Sequence, residues 1–251
     1  TVEEIYEGLD EVAVATGTNM GIYAIVDMPY PQLKTNTYVR DPQGRIVIDP
    51  ATGFPRQNAA LEPLGRTTPK HIFGLNTSLK AFGFTVATTI DYRTGHVFYA
   101  QGQNEMEFVG RSMASVSANR QDFVIPNSVI ETSPGVYVEN TNIPIQNGRQ
   151  SYWTDTYNDV KENYAIDATA LKIRELSVSY TLPATLIKST PLQKVTVGFI
   201  ARNLFTLLPG ENAFSDPEFN NATSNNNAIG IGGYFQMPPT RSFGVNLNIE
   251  F

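Results

Sequence analysis

The chain has 251 residues and a formal net charge of −6, and it has no run of basic residues, so its charge argues against a nucleic-acid partner. It contains no cysteine, which excludes a disulfide framework and thiolate chemistry. No apolar run approaches the length of about 18 residues that a membrane-spanning helix needs, whereas a spanning strand needs only about 9–11 residues of alternating pattern.

The first predicted strand covers residues 11–26, where the alternation of apolar and polar side chains is weak. The strongest pattern is in residues 71–81 and 84–95, where apolar side chains occupy odd positions before Phe82-Gly83 and even positions after it. A two-residue turn there would pair residue 81 with 84, 79 with 86, 75 with 90 and 73 with 92. This register places the apolar side chains on one face, so the sequence predicts a β-hairpin. A turn with a β-bulge is the alternative at Phe82-Gly83.

Three further strands are predicted in the second half of the chain, at 168–182, 194–206 and 241–251. In the first of them the apolar positions slip from odd to even, which indicates a β-bulge near Arg174-Glu175. The last one alternates to the final residue, Phe251.

The connections between these strands alternate between long and short. Long ones lie near 27–70, 96–166 and 207–240, and short ones lie at Phe82-Gly83 and at 183–193, where one helical turn is expected. In a series of antiparallel strands this places all long loops at one end of the sheet, which is typical of outer-membrane barrels. Alternation alone fits a soluble β-sandwich equally well. Strand lengths, uncharged polar faces rich in Ser, Thr and Asn, and aromatic residues at strand ends favour the barrel.

Several motifs, in order, resemble one family. The chain is similar to the C-terminal part of the SusC/RagA-type TonB-dependent outer-membrane transporters of Bacteroidetes. The segments that carry the resemblance are "VRDPQGRIVIDPATGFP" (39–55), "PLGRTTPKHIFGLNTSLKAFGFTVATTIDYRTGHVFY" (63–99), "ATALKIRELSVSYTLPATLIKSTPLQKVTVGFIARNLFTLLPG" (168–210) and "GGYFQMPPTRSFGVNLNIEF" (232–251).

The resemblance implies a barrel of about 22 strands with an N-terminal plug domain. It also implies a SusD-like surface lipoprotein over the external mouth, energy from TonB acting on the plug, and import of oligosaccharides or peptides across the bacterial outer membrane. In this family the terminal aromatic residue, here Phe251, would be the signal that the assembly machinery recognises. No cofactor is implied.

The expected fold class is therefore all-β: about five or six C-terminal strands of a large antiparallel transmembrane barrel, with long extracellular loops and short periplasmic turns. Residues 1–251 would form part of one barrel domain, and the plug is absent from this chain. So few strands cannot close a barrel, and an open sheet in lipid leaves costly unsatisfied backbone groups at its edges. The N-terminal part of the barrel is therefore expected as a partner chain, together with outer-membrane lipid.

Two groups of residues are candidates for a site. Asp91, Arg93, Arg174 and Glu175 lie on or near strands, and because charges facing lipid are costly we expect a paired network facing the lumen, with a direct substrate contact as the alternative. Tyr152, Trp153 and Tyr157 lie in a long loop; they would either contact substrate or the lid protein, or anchor the loop.

Other chemistry finds less support in the sequence. His71 and His96 would lie near each other at the rim, where a metal pair is conceivable, but the absence of cysteine and the scarcity of histidine argue against zinc. The segment 214–227 is rich in oxygen ligands, including Asp216 and Glu218, yet lacks the spacing of a calcium loop. No hydrolase motif is present, so we predict no enzymatic activity. The alternatives to a transporter are a soluble or surface β-sandwich that binds glycans and, less favoured, a β-rich hydrolase.

Overall fold

The computed structural model describes residues 1–6, 8–212, 215–218, 229–233, 237 and 239–251. The chain divides into two compact units. The loop unit comprises Thr1–Thr68, His96–Asp167 and Glu211–Gln236, and the sheet unit comprises Pro69–Gly95, Ala168–Gly210 and Met237–Phe251. In the described part of the chain, no helix has both the length and the apolar character needed to cross a membrane.

The described residues are predominantly in strands. The strands are Glu11–Gly17 (β1), Met20–Ile25 (β2), Gln32–Thr35 (β3), Ile46–Ile48 (β4), Glu62–Arg66 (β5), His71–Ala81 (β6), Phe84–Thr94 (β7), Val97–Tyr99 (β8), Ser128–Ser133 (β9), Val136–Glu139 (β10), Ala165–Asp167 (β11), Ala170–Thr181 (β12), Lys194–Leu207 (β13) and Ser242–Glu250 (β14). The α-helices are Gln101–Phe108 (α1) and Ala184–Ile187 (α2); 3₁₀-helices cover Ala114–Val116 and Lys161–Tyr164, and a π-helix covers Tyr152–Tyr157.

The sheet unit is one antiparallel sheet of five strands in the order β14-β13-β12-β7-β6. The β6–β7 hairpin has the predicted register, with 81 opposite 84, 79 opposite 86, 75 opposite 90 and 73 opposite 92. Phe82 and Gly83 both have positive φ, 53° and 86°. Two consecutive positive φ values characterise a type I′ turn, whose twist matches that of the strands, so the turn needs no bulge.

The predicted bulge in β12 is also confirmed. The pairing of β12 with β7 shifts between Ile173 and Glu175, which leaves Arg174 as the extra residue on β12. The pairing with β13 shifts at the same place, but there the extra residue lies on β13, because Asn203 and Leu204 face Arg174 alone. The short connection between β12 and β13 contains the expected helical turn, α2.

One face of this sheet is apolar and exposed. The exposed fractions of its large side chains lie between 37% and 78% for Phe73, Leu75, Leu79, Phe84, Val86, Val197, Phe199, Phe243, Val245, Leu247 and Ile249. The opposite face carries Ser, Thr, Asn and charged side chains. A β-sandwich would bury such a face against a second sheet, so the exposed face argues against the sandwich alternative for the described residues.

The loop unit has small sheets in the orders β1-β2-β3-β5, β10-β9-β4 and β11-β8. Two apolar clusters pack it. One is formed by Met20, Ile22, Leu33, Tyr99 and Tyr164. The other is formed by Ile48, Ile125, Ile145, Tyr152 and Trp153. The connections predicted at 27–70 and 96–166 are therefore folded segments with cores of their own.

Residues 11–26 differ from the prediction of a single strand. They form the hairpin β1–β2, which turns at Thr18-Asn19 and pairs with β3 in the loop unit. A one-residue bulge at Val14 places Val12 opposite Ala24, both at even positions. The apolar alternation therefore stays in phase through the turn, and the sequence pattern conceals the hairpin.

Candidate functional site

Three of the four predicted network residues meet on the polar face of the sheet unit. Asp91 and Arg93 are two residues apart on β7, so their side chains share a face. The Asp91 carboxylate accepts hydrogen bonds from Arg93 Nε and Nη2, both at 3.1 Å, and from Arg174 Nη2 at 2.9 Å. Arg174 is the bulge residue of β12, and this position lets its side chain reach Asp91.

Glu175, the fourth residue, pairs elsewhere. Its carboxylate accepts a hydrogen bond from Arg202 Nε at 3.1 Å, and Arg202 lies directly opposite it on β13. Lys194 and Glu250 form a similar cross-strand pair at 2.9 Å between β13 and β14. Sequence analysis missed Arg202 because its partner is defined only once the register across the bulge is known.

The three aromatic residues of the loop unit lie in its second apolar cluster. Tyr152 and Trp153 are 5% and 6% exposed, and the indole N–H of Trp153 donates to the Gly148 carbonyl oxygen at 2.9 Å. Their rings contact Phe123 and Tyr157, and Tyr157 is half-buried. These contacts anchor the segment. They leave little exposed surface on the rings of Tyr152 and Trp153 for a substrate or a lid protein to contact.

A cleft of about 500 Å³ lies in the loop unit, where the β1–β2 turn, the start of α1 and residues 158–161 come together. Its charged lining residues are Glu105, Asp159 and Lys161. Asp159 and Lys161 are more than fifty positions from Glu105, and all three are more than eighty positions from the β1–β2 turn, so no local motif indicated the cleft. We treat this cleft as the candidate binding site of the loop unit.

The base of the cleft is a buried amide network. Asn104 Nδ2 donates to the Asn158 carbonyl oxygen at 3.3 Å, and Asn158 Nδ2 donates to the Asn104 carbonyl oxygen at 3.1 Å. Lys161 Nζ donates to the same Asn158 carbonyl oxygen at 2.6 Å. Burial lowers the pKa of Lys161, and the nearby carboxylates of Asp159 and Glu105 oppose that shift.

Behind this network lies a buried acid, Glu107, which is 2% exposed. Gln103 Nε2 donates to its Oε1 at 3.2 Å. Burial raises the pKa of Glu107, and the hydrogen bond only partly offsets the effect. Burial, together with the nearby Glu107 carboxylate, in turn raises the pKa of Tyr157 to about 12.

The remaining sequence candidates occupy ordinary positions. The His71 ring stacks on Phe73 with 6.2 Å between centroids. Within the ranges that the structure describes, no group of three or more His, Cys, Asp or Glu is placed to hold a metal ion. Glu218 N donates to the Asp216 carboxylate, while most of 214–227 lies outside the described residues. Phe251 follows the last residue of β14 and is exposed.

Comparisons with known proteins bear on this architecture. No protein-family model matches the chain. "TonB-dependent receptor P3" of Formosa agariphila is 26% identical over 220 residues, which cover 84% of this chain and 19% of the relative. The RagAB peptide transporter structure matches with a TM-score of 0.60 and 15% identity, covering 97% of this chain and 24% of that one. The RagAB peptide importer in its "open-open" state matches with a TM-score of 0.60 and 16% identity, covering 99% and 25%.

The chain is thus similar to a TonB-dependent receptor, and its all-β fold is that of part of the RagAB transporter. This confirms the resemblance that the sequence motifs indicated. The chain spans about a fifth of the curated relative and a quarter of the solved chains. These relatives are named as a receptor and as transporters, in keeping with a role other than catalysis.

Proposed function

We propose that this chain supplies C-terminal wall strands and external loops of a TonB-dependent importer in the bacterial outer membrane. The observation that carries the proposal is the five-stranded sheet with one exposed apolar face and one polar face of paired charges. In a transmembrane barrel the first face meets hydrocarbon and the second faces a wet lumen.

The energetics favour lipid over water for the apolar face. Each Å² of apolar surface left in water costs about 25 cal/mol, and the eleven large side chains named above for this face are each at least 37% exposed. The outer strands, β6 and β14, each pair with one strand only among the described residues. In hydrocarbon their free backbone groups would each cost several kcal/mol, so the rest of the barrel must pair with them.

The orientation follows from the lengths of the connections. The short connections, at Phe82-Gly83 and between β12 and β13, would face the periplasm, and the segments of the loop unit would be external. We propose that a SusD-like lipoprotein covers the external mouth and that TonB acts through a plug domain. Transport would then consist of binding and gated passage of oligosaccharides or peptides, without covalent chemistry.

The test is to purify the complete protein with its associated chains. We expect it in the outer-membrane fraction, extractable only with detergent, together with a larger β-rich portion of the barrel and a lipoprotein. Its mobility on a denaturing gel should change on heating, as a closed barrel unfolds. A protein that stays soluble without detergent would contradict the proposal.

The substrate class requires a second measurement. Uptake of labelled peptides and labelled oligosaccharides should be compared in cells with and without TonB. Uptake of one class that depends on both this protein and TonB would identify the cargo, and uptake that is independent of TonB would contradict the mechanism.

A further inference from the structure

The cleft of the loop unit has a charge pattern that the wall of a barrel does not require. Glu105 and Asp159 contribute two negative charges and Lys161 contributes one positive charge, so the lining has a net charge of −1. The polar side chains of Thr16, Thr18 and Gln101 complete the walls. Such a lining offers hydrogen-bond acceptors and an excess of negative charge. The cleft has a volume of about 500 Å³, which limits the size of the group that it can hold.

The two carboxylates differ in how they are held. Asp159 is half-buried, and its Oδ1 accepts a hydrogen bond from Asn19 Nδ2 at 2.8 Å, which fixes its position at the β1–β2 turn. Glu105 is also half-buried, but its carboxylate forms no hydrogen bond or ion pair with any residue that the structure describes. A half-buried carboxylate without a partner is an acceptor available to a ligand.

Lys161 does not neutralise this acceptor by direct contact. Its ammonium group donates to the Asn158 carbonyl oxygen at 2.6 Å, and the Asp159 and Glu105 carboxylates interact with it electrostatically rather than by a hydrogen bond. The lysine also lines the cleft, but it is only 8% exposed.

Among the described residues, the cleft lacks the feature that suits a neutral sugar. Sugar rings bind well against an open aromatic face, but Tyr99 is the only aromatic residue in the described part of the lining, and it is 4% exposed and packed in an apolar cluster. Tyr152 and Trp153 are buried in the other cluster. Charge, rather than ring stacking, is therefore the chemistry that the cleft offers.

We propose that this cleft binds a primary ammonium group of the cargo, with Glu105 and Asp159 as its acceptors. The inference rests on the importer function proposed above and defines the chemistry of one binding site within it. An ammonium group has three donors and one positive charge, which match two carboxylates and neighbouring amide and hydroxyl oxygens. Two kinds of cargo carry such a group: a peptide with a free amine and an oligosaccharide of glucosamine.

Matched probes separate these sources. The complete transporter, purified in detergent with its associated chains, is titrated calorimetrically with a tetraglycine peptide and with its N-acetylated form. It is then titrated with a glucosamine tetramer and with an N-acetylglucosamine tetramer. We expect the amine form of one pair to bind at least tenfold more tightly than its acetylated form, because acetylation removes the positive charge and the charge-assisted hydrogen bonds.

The variant Glu105→Gln removes the negative charge and keeps the shape of the side chain. We expect it to weaken binding of the preferred amine probe by about tenfold and to leave the acetylated probe unchanged. The control is Glu139→Gln, because Glu139 is an exposed glutamate of β10 in the same unit and lies outside the cleft. This control variant should bind both probes as the unmodified protein does.

Other outcomes overturn the inference. Equal affinity for the amine and acetylated forms in both pairs, including no binding of any probe, excludes an ammonium site. Equal weakening of both forms by Glu105→Gln shows a structural effect instead, which a lost heat-dependent gel shift would confirm. In each case a complex that still assembles and imports cargo with TonB leaves the importer function intact, so the two failures can be told apart.

Discussion

Trp153 and Glu107 are both almost completely buried in the loop unit, but they affect its stability in opposite ways. Trp153 fills an aromatic cluster and satisfies its indole N–H at the Gly148 carbonyl oxygen. Glu107 must either hold a proton or keep a charge in a poorly solvated position. The first residue therefore stabilises the unit at every pH, whereas the contribution of the second depends on pH.

Replacing Trp153 with alanine should destabilise the loop unit by about 3–5 kcal/mol, the usual cost of removing a large buried aromatic side chain. Hydrogen–deuterium exchange of residues 152–157 in the complete transporter would measure this as faster exchange. Met113→Ala is the control, because Met113 is 83% exposed and its loss should change stability by less than about 0.5 kcal/mol. Equal exchange in the two variants would contradict the packing role of Trp153.

Glu107 predicts a pH dependence with a definite sign. Burial raises its pKa in the folded unit above the ordinary value of 4.5, so the folded state binds the proton more tightly than the unfolded state. Its contribution to stability is fully present below pH 4.5 and is lost as the pH rises through the folded-state pKa. Exchange protection of α1, corrected for the intrinsic rate, should fall over that range. Glu107→Gln should flatten the profile, and an unchanged profile would exclude Glu107 as its origin.

At the scale of single elements, the sheet separates its two faces with few exceptions, and the paired charges occur on one face only. The bulge at Arg174 preserves this separation, because it absorbs one residue and returns Leu176 and Val178 to the apolar side, opposite Thr88 and Val86. Without the bulge, every later side chain of β12 would change face.

Arginine substitutions on neighbouring positions of β6 test which face meets lipid. Leu75→Arg places a charge on the apolar face and should destabilise the barrel by about 2–4 kcal/mol near the membrane midplane. Ser78→Arg places the same charge on the polar face and should have little effect. The temperature at which the folded band is lost on a denaturing gel measures both, and equal shifts would contradict a lipid-facing apolar surface.

The elements that sequence analysis predicted well are the long strands with a clear alternation. For β6–β7, the alternation and the turn at Phe82-Gly83 agree, and for β12 the slip in alternation located the bulge itself. The strands of the loop unit are mostly three to seven residues long, too short to show a reliable period. The cleft could not be predicted, because Glu105, Asp159 and the β1–β2 turn meet only through tertiary packing.

At the scale of the whole molecule, the outer strands β6 and β14 each have one neighbour among the described residues. Five strands are fewer than the eight of the smallest known membrane barrels, so in the proposed importer these edges would pair with further strands. β14 would then form a seam with a strand of the remaining barrel, and Phe251 lies immediately after it.

Deletion of Phe251 tests its proposed role as an assembly signal. We expect the deletion to lower the amount of heat-modifiable barrel in the outer membrane severalfold, because the machinery would no longer recognise the end of β14. Phe251→Tyr keeps an aromatic ring and should assemble normally. Normal assembly of the deletion variant would show that the residue is dispensable.

The two apolar clusters of the loop unit contain only residues of that unit, and the ladder of the five-stranded sheet contains none of them. Substitutions around the cleft therefore leave the hydrogen bonds of the five-stranded sheet untouched. If the chain acts in the importer proposed above, a bacterium that encounters a new nutrient can alter the cargo-binding segments while the sheet keeps its construction, so divergence among lineages should concentrate in residues 1–68 and 96–167.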